Sequence, residues 1–159
     1  MPKVFAFVAA IFAVFGPTWL FADADESIVG RYWNPDRDAI VEIYSTDGVV
    51  FGRAIWSAEP MLDAENPDPA LRSRDLLGVP FITGFRFDGK DRWQDGRVYA
   101  PDNGRTYRGT LWVEDGALKM RGFVGISLLG RTATFERLAA NEPLPTNGFA
   151  MDRPEHPEN

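Results

Sequence analysis

The sequence predicts an all-β protein, folded as a single-domain, eight-stranded antiparallel up-and-down β-barrel with one long loop that carries a short helix. Two observations support this prediction. Short extended runs are separated by Gly, Asp and Pro along most of the chain, which is typical of β proteins. Several runs also alternate apolar and polar side chains, as strands do when one face is in a core. A closed barrel is favoured over a two-sheet sandwich because closure removes exposed edges.

The first segment, residues 1–24, has the parts of a secretory signal peptide. Lys3 precedes an apolar run over residues 4–15, and Ala22 and Ala24 form a small-x-small cleavage pattern. We therefore expect cleavage after Ala24 and a periplasmic or secreted mature protein. An uncleaved membrane anchor is the alternative, but the run is short for a bilayer span and a Gly-Pro pair interrupts it.

Composition excludes several function classes. The 159 residues are 45% hydrophobic, which suits one domain with its own core, and the net charge of −6 argues against nucleic-acid binding. The chain has no cysteine, so disulfides, thiolate metal sites, thiol nucleophiles and lipid attachment at cysteine are excluded. The single histidine, His156, lies in a Pro-rich tail over residues 139–159, predicted to be extended or disordered. A His-based triad or metal site is therefore not expected in the barrel domain, residues 25–138.

Eight strands are predicted, over residues 28–33, 39–45, 49–57, 79–87, 92–100, 105–114, 117–124 and 130–138. In the seventh, Leu118, Met120 and Val124 alternate with Lys119 and Arg121, so its two faces are clearly distinguished. Four residue pairs supply the positive φ that tight hairpin turns need, namely Asp47-Gly48, Asp88-Gly89, Asn103-Gly104 and Asp115-Gly116.

The connection over residues 58–78 is much longer than a hairpin requires. Asp68 suits an N-cap, Pro69 suits the first helical position, and Gly78 can end a short helix through Leu77. Such a loop is either a lid over the barrel mouth or a structural plug. The candidate lid residues are Asn66, Asp68 and Arg72.

Aromatic residues in or beside the strands favour a binding role. Inward-facing aromatics can wall an apolar ligand cavity, or they can simply fill a small barrel. Arg137 shares strand parity with Phe135, so its guanidinium points inward if Phe135 does, and it then needs an aromatic face or acceptors. The candidate ligand-binding residues are Trp33, Trp56, Trp93, Tyr99, Tyr107 and Arg137.

Carboxylates are the remaining acid–base candidates. Most of the aspartates lie at turns, where Asp is favoured for backbone reasons. Four acidic residues of the long loop are possible ligands for a hard cation, but they lack the spacing of an EF-hand. No catalytic residue, metal or cofactor is predicted. The four loop acids are Asp63, Glu65, Asp68 and Asp75.

An ordered set of motifs runs through the domain: Gly30-Arg31-Tyr32-Trp33, Phe51-Gly52-Arg53-Ala54-Ile55-Trp56, Asn66-Pro67-Asp68-Pro69-Ala70-Leu71-Arg72, Leu77-Gly78, Trp93-x-x-Gly96-x-Val98-Tyr99, Pro101-x-Asn103-Gly104-x-Thr106-Tyr107, Leu118-Lys119-x-Arg121-Gly122 and Leu129-Gly130-Arg131-Thr132. Through this set, residues 28–137 resemble the bacterial family known as domain of unknown function 2147. Many members of that family carry cysteines where this chain has Phe51 and Phe123.

The resemblance implies an exported bacterial protein with a lipocalin-like, calycin-type barrel. In calycins, an aromatic residue after an N-terminal glycine packs near a basic residue of the last strand. Gly30, either Tyr32 or Trp33, and Arg137 are similar in position. The resemblance implies no activity, and it therefore assigns no catalytic residue.

Three functions remain open. The preferred one is non-enzymatic binding of a small, partly apolar ligand inside the barrel. The first alternative is a protein–protein interaction module of the cell envelope, a stress factor or an inhibitor of a wall-degrading enzyme, which would use the acidic surface and the long loop. The second is a hydrolase with two carboxylates facing each other in one pocket. Neither nucleic acid nor a stable membrane span is expected.

Overall fold

The computed structural model describes residues 28–123 and 130–151. Within these ranges the chain forms ten strands and one short 3₁₀ helix, Pro69–Leu71. The strands are β1 (Gly30–Trp33), β2 (Ala39–Thr46), β3 (Val49–Ser57), β4 (Pro80–Phe87), β5 (Arg92–Gln94), β6 (Arg97–Ala100), β7 (Arg105–Glu114), β8 (Ala117–Phe123), β9 (Arg131–Arg137) and β10 (Phe149–Ala150).

The strands close into an antiparallel barrel, as predicted. Its wall runs in the order β3, β2, β1, β9, β8 and β7, and β5 and β6 together form the next position between β7 and β4. Pairing of β4 with β3 closes the circle at one side, and pairing of β1 with β9 closes it at the other. The wall therefore has eight positions, because β5 and β6 share one of them.

The fifth predicted strand is interrupted, so its continuous assignment over residues 92–100 is wrong. Asp95 has φ 65°, which ends β5, and Gly96 follows it. A Cβ atom on Gly96 would overlap the ring of Phe85, and one on Gly109 would lie 2.8 Å from the same ring. Both positions are glycine because the large core side chain of Phe85 lies directly against the backbone.

Two of the four predicted tight turns have positive φ at both central residues, which is the hairpin geometry that matches strand twist. These are Asp47-Gly48, with φ 52° and 72°, and Asp115-Gly116, with φ 52° and 76°. In the other two turns only Gly89 and Gly104 have positive φ, and each connection is four residues long. The Asp88 carboxylate accepts the backbone N–H groups of Lys90 and Arg92 instead.

The two ends of the barrel differ in how they are filled. At one end, large side chains form the main core, with Tyr32, Phe85 and Trp93 essentially inaccessible to solvent. The two-residue turns and the start of β1 lie at this end, which we name the closed end. The loops 34–38, 58–79 and 101–104 lie at the other, open end. There, positions facing the interior carry small residues, which are Ala100, Gly122 and Ala133.

The helix of the long loop ends at Leu71 and does not continue to Leu77 as predicted. The N-cap is confirmed, because the Asp68 carboxylate accepts the N–H of Ala70 at 3.0 Å. Beyond the helix, tertiary pairing replaces further helical turns: the Leu76 N–H donates to the Met61 carbonyl at 2.8 Å. Leu76 is only 3% exposed, so burying this side chain outweighs extending the helix.

The described part of the tail, residues 139–151, packs on the outside of the barrel. β10 pairs with the end of β3, and the Trp56 indole N–H donates to the Asn147 carbonyl at 2.7 Å. Leu144 and Met151 cover a second apolar cluster on this outer face, formed by Ile40, Ile55, Trp56 and Leu138. Residues 152–159 and the predicted signal peptide lie outside the described residues.

The described ranges, residues 28–123 and 130–151, contain no helix with the length and hydropathy of a membrane span.

Candidate functional site

A cavity of about 750 Å³ lies at the open end of the barrel. It exists because the inward positions of β6, β8 and β9 carry Ala100, Gly122 and Ala133, which are too small to meet across the interior. Its described lining is completed by Pro35, Val98, Asp102, Asn103, Tyr107, Met120, Phe123, Arg131 and Thr132.

The lining changes from apolar to polar between the bottom of the cavity and its mouth. Val98 belongs to the main core, and Met120 and Ala133 pack against that core. The polar groups come from the mouth, where the Asn103 amide donates to the Tyr107 hydroxyl at 3.2 Å. A ligand that enters would therefore meet apolar carbon at depth and hydrogen-bonding groups near solvent.

Arg131 contributes a positive charge to the described lining at the mouth of this cavity. It is not among the candidate residues predicted from the sequence. The register pairs Arg131 with Gly122, Ala133 with Met120 and Phe135 with Leu118, so Arg131 shares the inward face of β9. No described residue forms an ion pair or hydrogen bond with its guanidinium. The signal that identifies it is strand parity, the same signal that singled out Arg137 on this strand.

A smaller cavity of about 200 Å³ lies beneath the long loop. Met61 and Leu76 line it from the loop, and Phe81 and Phe135 line it from the barrel. Pro35 lines both this cavity and the larger one, so the two spaces adjoin at the β1–β2 connection. The loop therefore covers apolar space at the open end of the barrel.

Arg137 lies at the closed end and not in either cavity. Its guanidinium stacks 4.7 Å from the ring centroid of Tyr32 and donates to the Val29 carbonyl at 2.9 Å. Gly30 has φ +156°, and a Cβ there would lie 2.5 Å from this guanidinium, so a larger residue would be strained and would displace Arg137. Burial raises the pKa of Tyr32 to about 12, although the Arg137 charge acts in the opposite direction. Tyr32 is thus the aromatic partner, and Trp33 is not.

Of the six predicted ligand-binding residues, Tyr107 alone is among the described residues that line the two cavities above. Trp93 lies in the filled half of the core, with its ring 5.0 Å from that of Phe87. Trp33 and Trp56 lie on the outer face in an edge-to-face pair 5.6 Å apart, covered by the tail. Trp33 follows the outward parity of β1, whereas Trp56 shares the parity of the inward residue Ala54 and is turned outward by a bulge in β3. Neither ring therefore lies inside a cavity, where the sequence prediction placed it.

Tyr99, the sixth, belongs to a hydrogen-bonded cluster that holds the long loop to β6. At its centre is Asp63, whose side chain has no exposed surface. The Asp63 carboxylate accepts from the Tyr99 hydroxyl, from the Asn66 amide at 2.7 Å and from the Arg74 guanidinium at 2.6 Å. Burial acts to raise the pKa of Asp63, but these donors outweigh it and hold the pKa below its usual value. Burial and the Asp63 carboxylate raise the pKa of Tyr99.

The three predicted lid residues support the loop and are not among the described residues that line the two cavities. The Asn66 side chain also accepts the Asp68 N–H at 2.8 Å, and the Arg72 guanidinium donates to the Asn66 carbonyl at 2.9 Å. A Cβ on Gly104 would overlap the Glu65 carbonyl oxygen, so the loop also touches the β6–β7 turn. These contacts hold the loop to β6 and to the β6–β7 turn, and the Gly78 N–H, which donates to the Ala54 carbonyl at 2.8 Å, holds its end to β3.

The described lining of the larger cavity does not contain the two facing carboxylates that a carboxylate-based hydrolase needs. Among its described lining residues, Asp102 is the single acid. The other turn aspartates, such as Asp47, Asp88 and Asp115, are exposed to solvent. No group of three or more His, Asp or Glu residues within residues 28–123 and 130–151 is placed to hold a metal ion.

Residues 30–137 match the family described as uncharacterized proteins conserved in bacteria, DUF2147. Among solved structures, the chain is similar to HP1028 from the human pathogen Helicobacter pylori, a protein that belongs to the lipocalin family. The identity is 25%, the TM-score is 0.63, and the match covers 70% of this chain and 82% of HP1028. No curated protein matches the chain.

Proposed function

Since this chain belongs to the DUF2147 family of bacterial proteins and has a lipocalin-like barrel, we propose that it binds a small, partly apolar molecule inside that barrel. A fold alone does not specify a function. The observation that carries the proposal is the cavity of about 750 Å³ at the open end, which is apolar at depth and polar at its mouth. Small-molecule sites commonly have volumes of roughly 300–1,000 Å³ and this distribution of polarity.

The two alternative functions have less support. A carboxylate-based hydrolase needs two facing acids, and the described cavity lining contains Asp102 alone. A protein–protein module of the envelope would use the long loop. The polar side chains of Asp63, Asn66 and Arg74 in that loop are directed at each other and at Tyr99. Binding inside the barrel therefore explains more of the structure.

We further propose that the protein meets its ligand outside the cytoplasm. The support is the predicted signal peptide over residues 1–24, whose pattern is independent of the barrel. Intact-mass measurement of protein recovered from its own host tests this proposal, with a mature chain that starts at Asp25 as the expected result.

Native mass spectrometry of the same material tests the binding proposal. We expect the folded chain to carry a small-molecule adduct that is lost on denaturation. Ala133→Phe adds a ring to the inner face of β9 and should abolish the adduct. Thr134→Phe adds the same ring to the exposed outer face of that strand and should retain it. An adduct that survives Ala133→Phe in a folded protein would place the ligand elsewhere and overturn the proposal.

A further inference from the structure

We propose that Arg131 binds an oxyanion of the ligand, so that the molecule held in the barrel is an amphiphile with an anionic head group at the mouth. This inference rests on the proposed function and adds the chemical class of its ligand. The shared chemistry is that of a carboxylate or a phosphate, either of which a guanidinium binds through two parallel N–H groups.

The position of Arg131 supports this role. It is the first residue of β9, at the open end, and its register places it on the face that carries Ala133 and Phe135. Arg131 contributes directly to the lining of the larger cavity. By contrast Arg108, on β7, lies between the inward residues Tyr107 and Gly109 and is exposed on the outer face.

The hydrogen-bonding state of Arg131 differs from that of the other inward arginine of β9. Arg137 is fully engaged at the closed end with the Tyr32 ring, the Tyr32 hydroxyl and the Val29 carbonyl. Within the described residues, the Arg131 guanidinium contacts no acceptor and no carboxylate. Asp102 lies at the same mouth but forms no ion pair with it. The five N–H donors of the Arg131 guanidinium are therefore available to a ligand.

The polarity of the cavity fixes the orientation of such a ligand. Neutral donors and acceptors accompany Arg131 at the mouth, from Asn103 and Tyr107, while the deep wall is apolar. A chain directed inward and an oxyanion directed outward satisfies both regions. The net charge of −6 would repel anions in general, so the selection for an anion must be local to Arg131.

Three probes with the same alkyl chain test the inference: dodecanoate, dodecyl phosphate and dodecanol. Their binding to the delipidated full-length mature protein is measured by titration calorimetry, for wild type, Arg131→Gln and Arg108→Gln. We expect at least one of the two anions to bind about ten-fold or more tightly than dodecanol, since a charged hydrogen bond contributes about 1.5–3 kcal/mol. Arg131→Gln should remove that preference, and Arg108→Gln should leave it unchanged.

The outcomes separate this inference from the proposed function. If dodecanol binds as tightly as both anions, and Arg131→Gln alters none of them, Arg131 does not bind a head group although the barrel still holds a ligand. If none of the probes binds and no adduct is found on the native protein, the proposed function fails as well. Arg131→Lys, which retains charge without the planar fork, should give an intermediate preference. A carboxylate preference would identify a fatty-acid-like ligand, and a phosphate preference a phospholipid-like one.

Discussion

Arg137 and Tyr32 are joined by two different contacts across the closed end of the barrel. The guanidinium lies 4.7 Å from the centroid of the Tyr32 ring, and it also donates to the phenolic oxygen. The Tyr32 hydroxyl in turn donates to the Ile28 carbonyl at 2.7 Å. Since Tyr32 is completely buried, these contacts tie the last strand of the barrel to the residues that precede its first strand.

Replacing Arg137 by methionine should destabilise the fold. The substitution keeps an apolar stem but leaves the Val29 carbonyl and the Tyr32 hydroxyl without their charged donor. We expect the free energy of unfolding, measured in urea, to fall by about 1.5–3 kcal/mol. Arg108→Met removes an exposed arginine from the outer face and should change it by less than about 0.5 kcal/mol. Equal effects of the two substitutions would contradict the role given to Arg137.

Gly96→Ala should be one of the most destabilising small substitutions in the domain. The added methyl group would overlap the Phe85 ring, which is completely buried and cannot withdraw. We expect the free energy of unfolding, measured in urea, to fall by about 1–3 kcal/mol, which is typical of overpacking. Gly122→Ala is the matched control, because its Cβ would lie 3.7 Å from that of Tyr107, an ordinary contact.

Combining Gly96→Ala with Phe85→Leu tests the cause of that loss. If overlap with the ring is responsible, the double variant should be less unstable than the sum of the two single variants. Simple additivity would mean that Gly96 acts through its backbone conformation and not through Phe85.

The barrel itself could be predicted from sequence because its main signals are local. Alternation over β8 placed Lys119 and Arg121 on the outside, and there they donate to Thr134 and Thr132 of β9. The Asp-Gly turns likewise depend on two adjacent residues. The glycine–aromatic–basic pattern of calycins placed Gly30 next to Arg137, as the structure does, but it did not decide between Tyr32 and Trp33.

The site was harder to predict because its determinants come from different strands. Adjacent Tyr32 and Trp33 face opposite sides of a four-residue strand with too little alternation to fix its parity. The cavity depends on Ala100, Gly122 and Ala133 meeting at one level, which only the register of three strands decides. Trp56 lies on the outer face because of a bulge in β3, and the tail that covers it is more than ninety residues away in sequence, as the bond from Trp56 to Asn147 shows.

Asp63 should make the stability of the protein depend on acid pH. Its pKa lies below the usual 3.8, so the carboxylate stabilises the fold fully above that pH. This stabilisation is lost as pH falls through the lowered folded-state pKa. Asp63→Asn should lower the free energy of unfolding by about 1–3 kcal/mol at neutral pH, since it weakens the hydrogen bonds to Tyr99 and Arg74.

The measurement is urea unfolding of wild type and Asp63→Asn at a series of pH values. The difference in the free energy of unfolding between the two proteins should be constant above about pH 5 and should become smaller in more acidic solution. Asp36→Asn, at an exposed turn, controls for the loss of one carboxylate from the surface. A difference that stays the same down to the acid limit would show that the Asp63 charge is not what holds the loop.

The tail should leave the outer face of the barrel when Gly148 is replaced by alanine. Gly148 has φ +89°, and an added Cβ would lie 2.5 Å from the Ser57 carbonyl oxygen and 2.9 Å from the Trp56 ring. Faster hydrogen exchange is expected at the Met151 amide, which donates to the Ile55 carbonyl at 2.9 Å. Gly116→Ala carries a similar backbone cost at φ +76° but meets nothing within 4 Å. If both variants leave Met151 equally protected, contact with Trp56 and Ser57 is not what docks the tail.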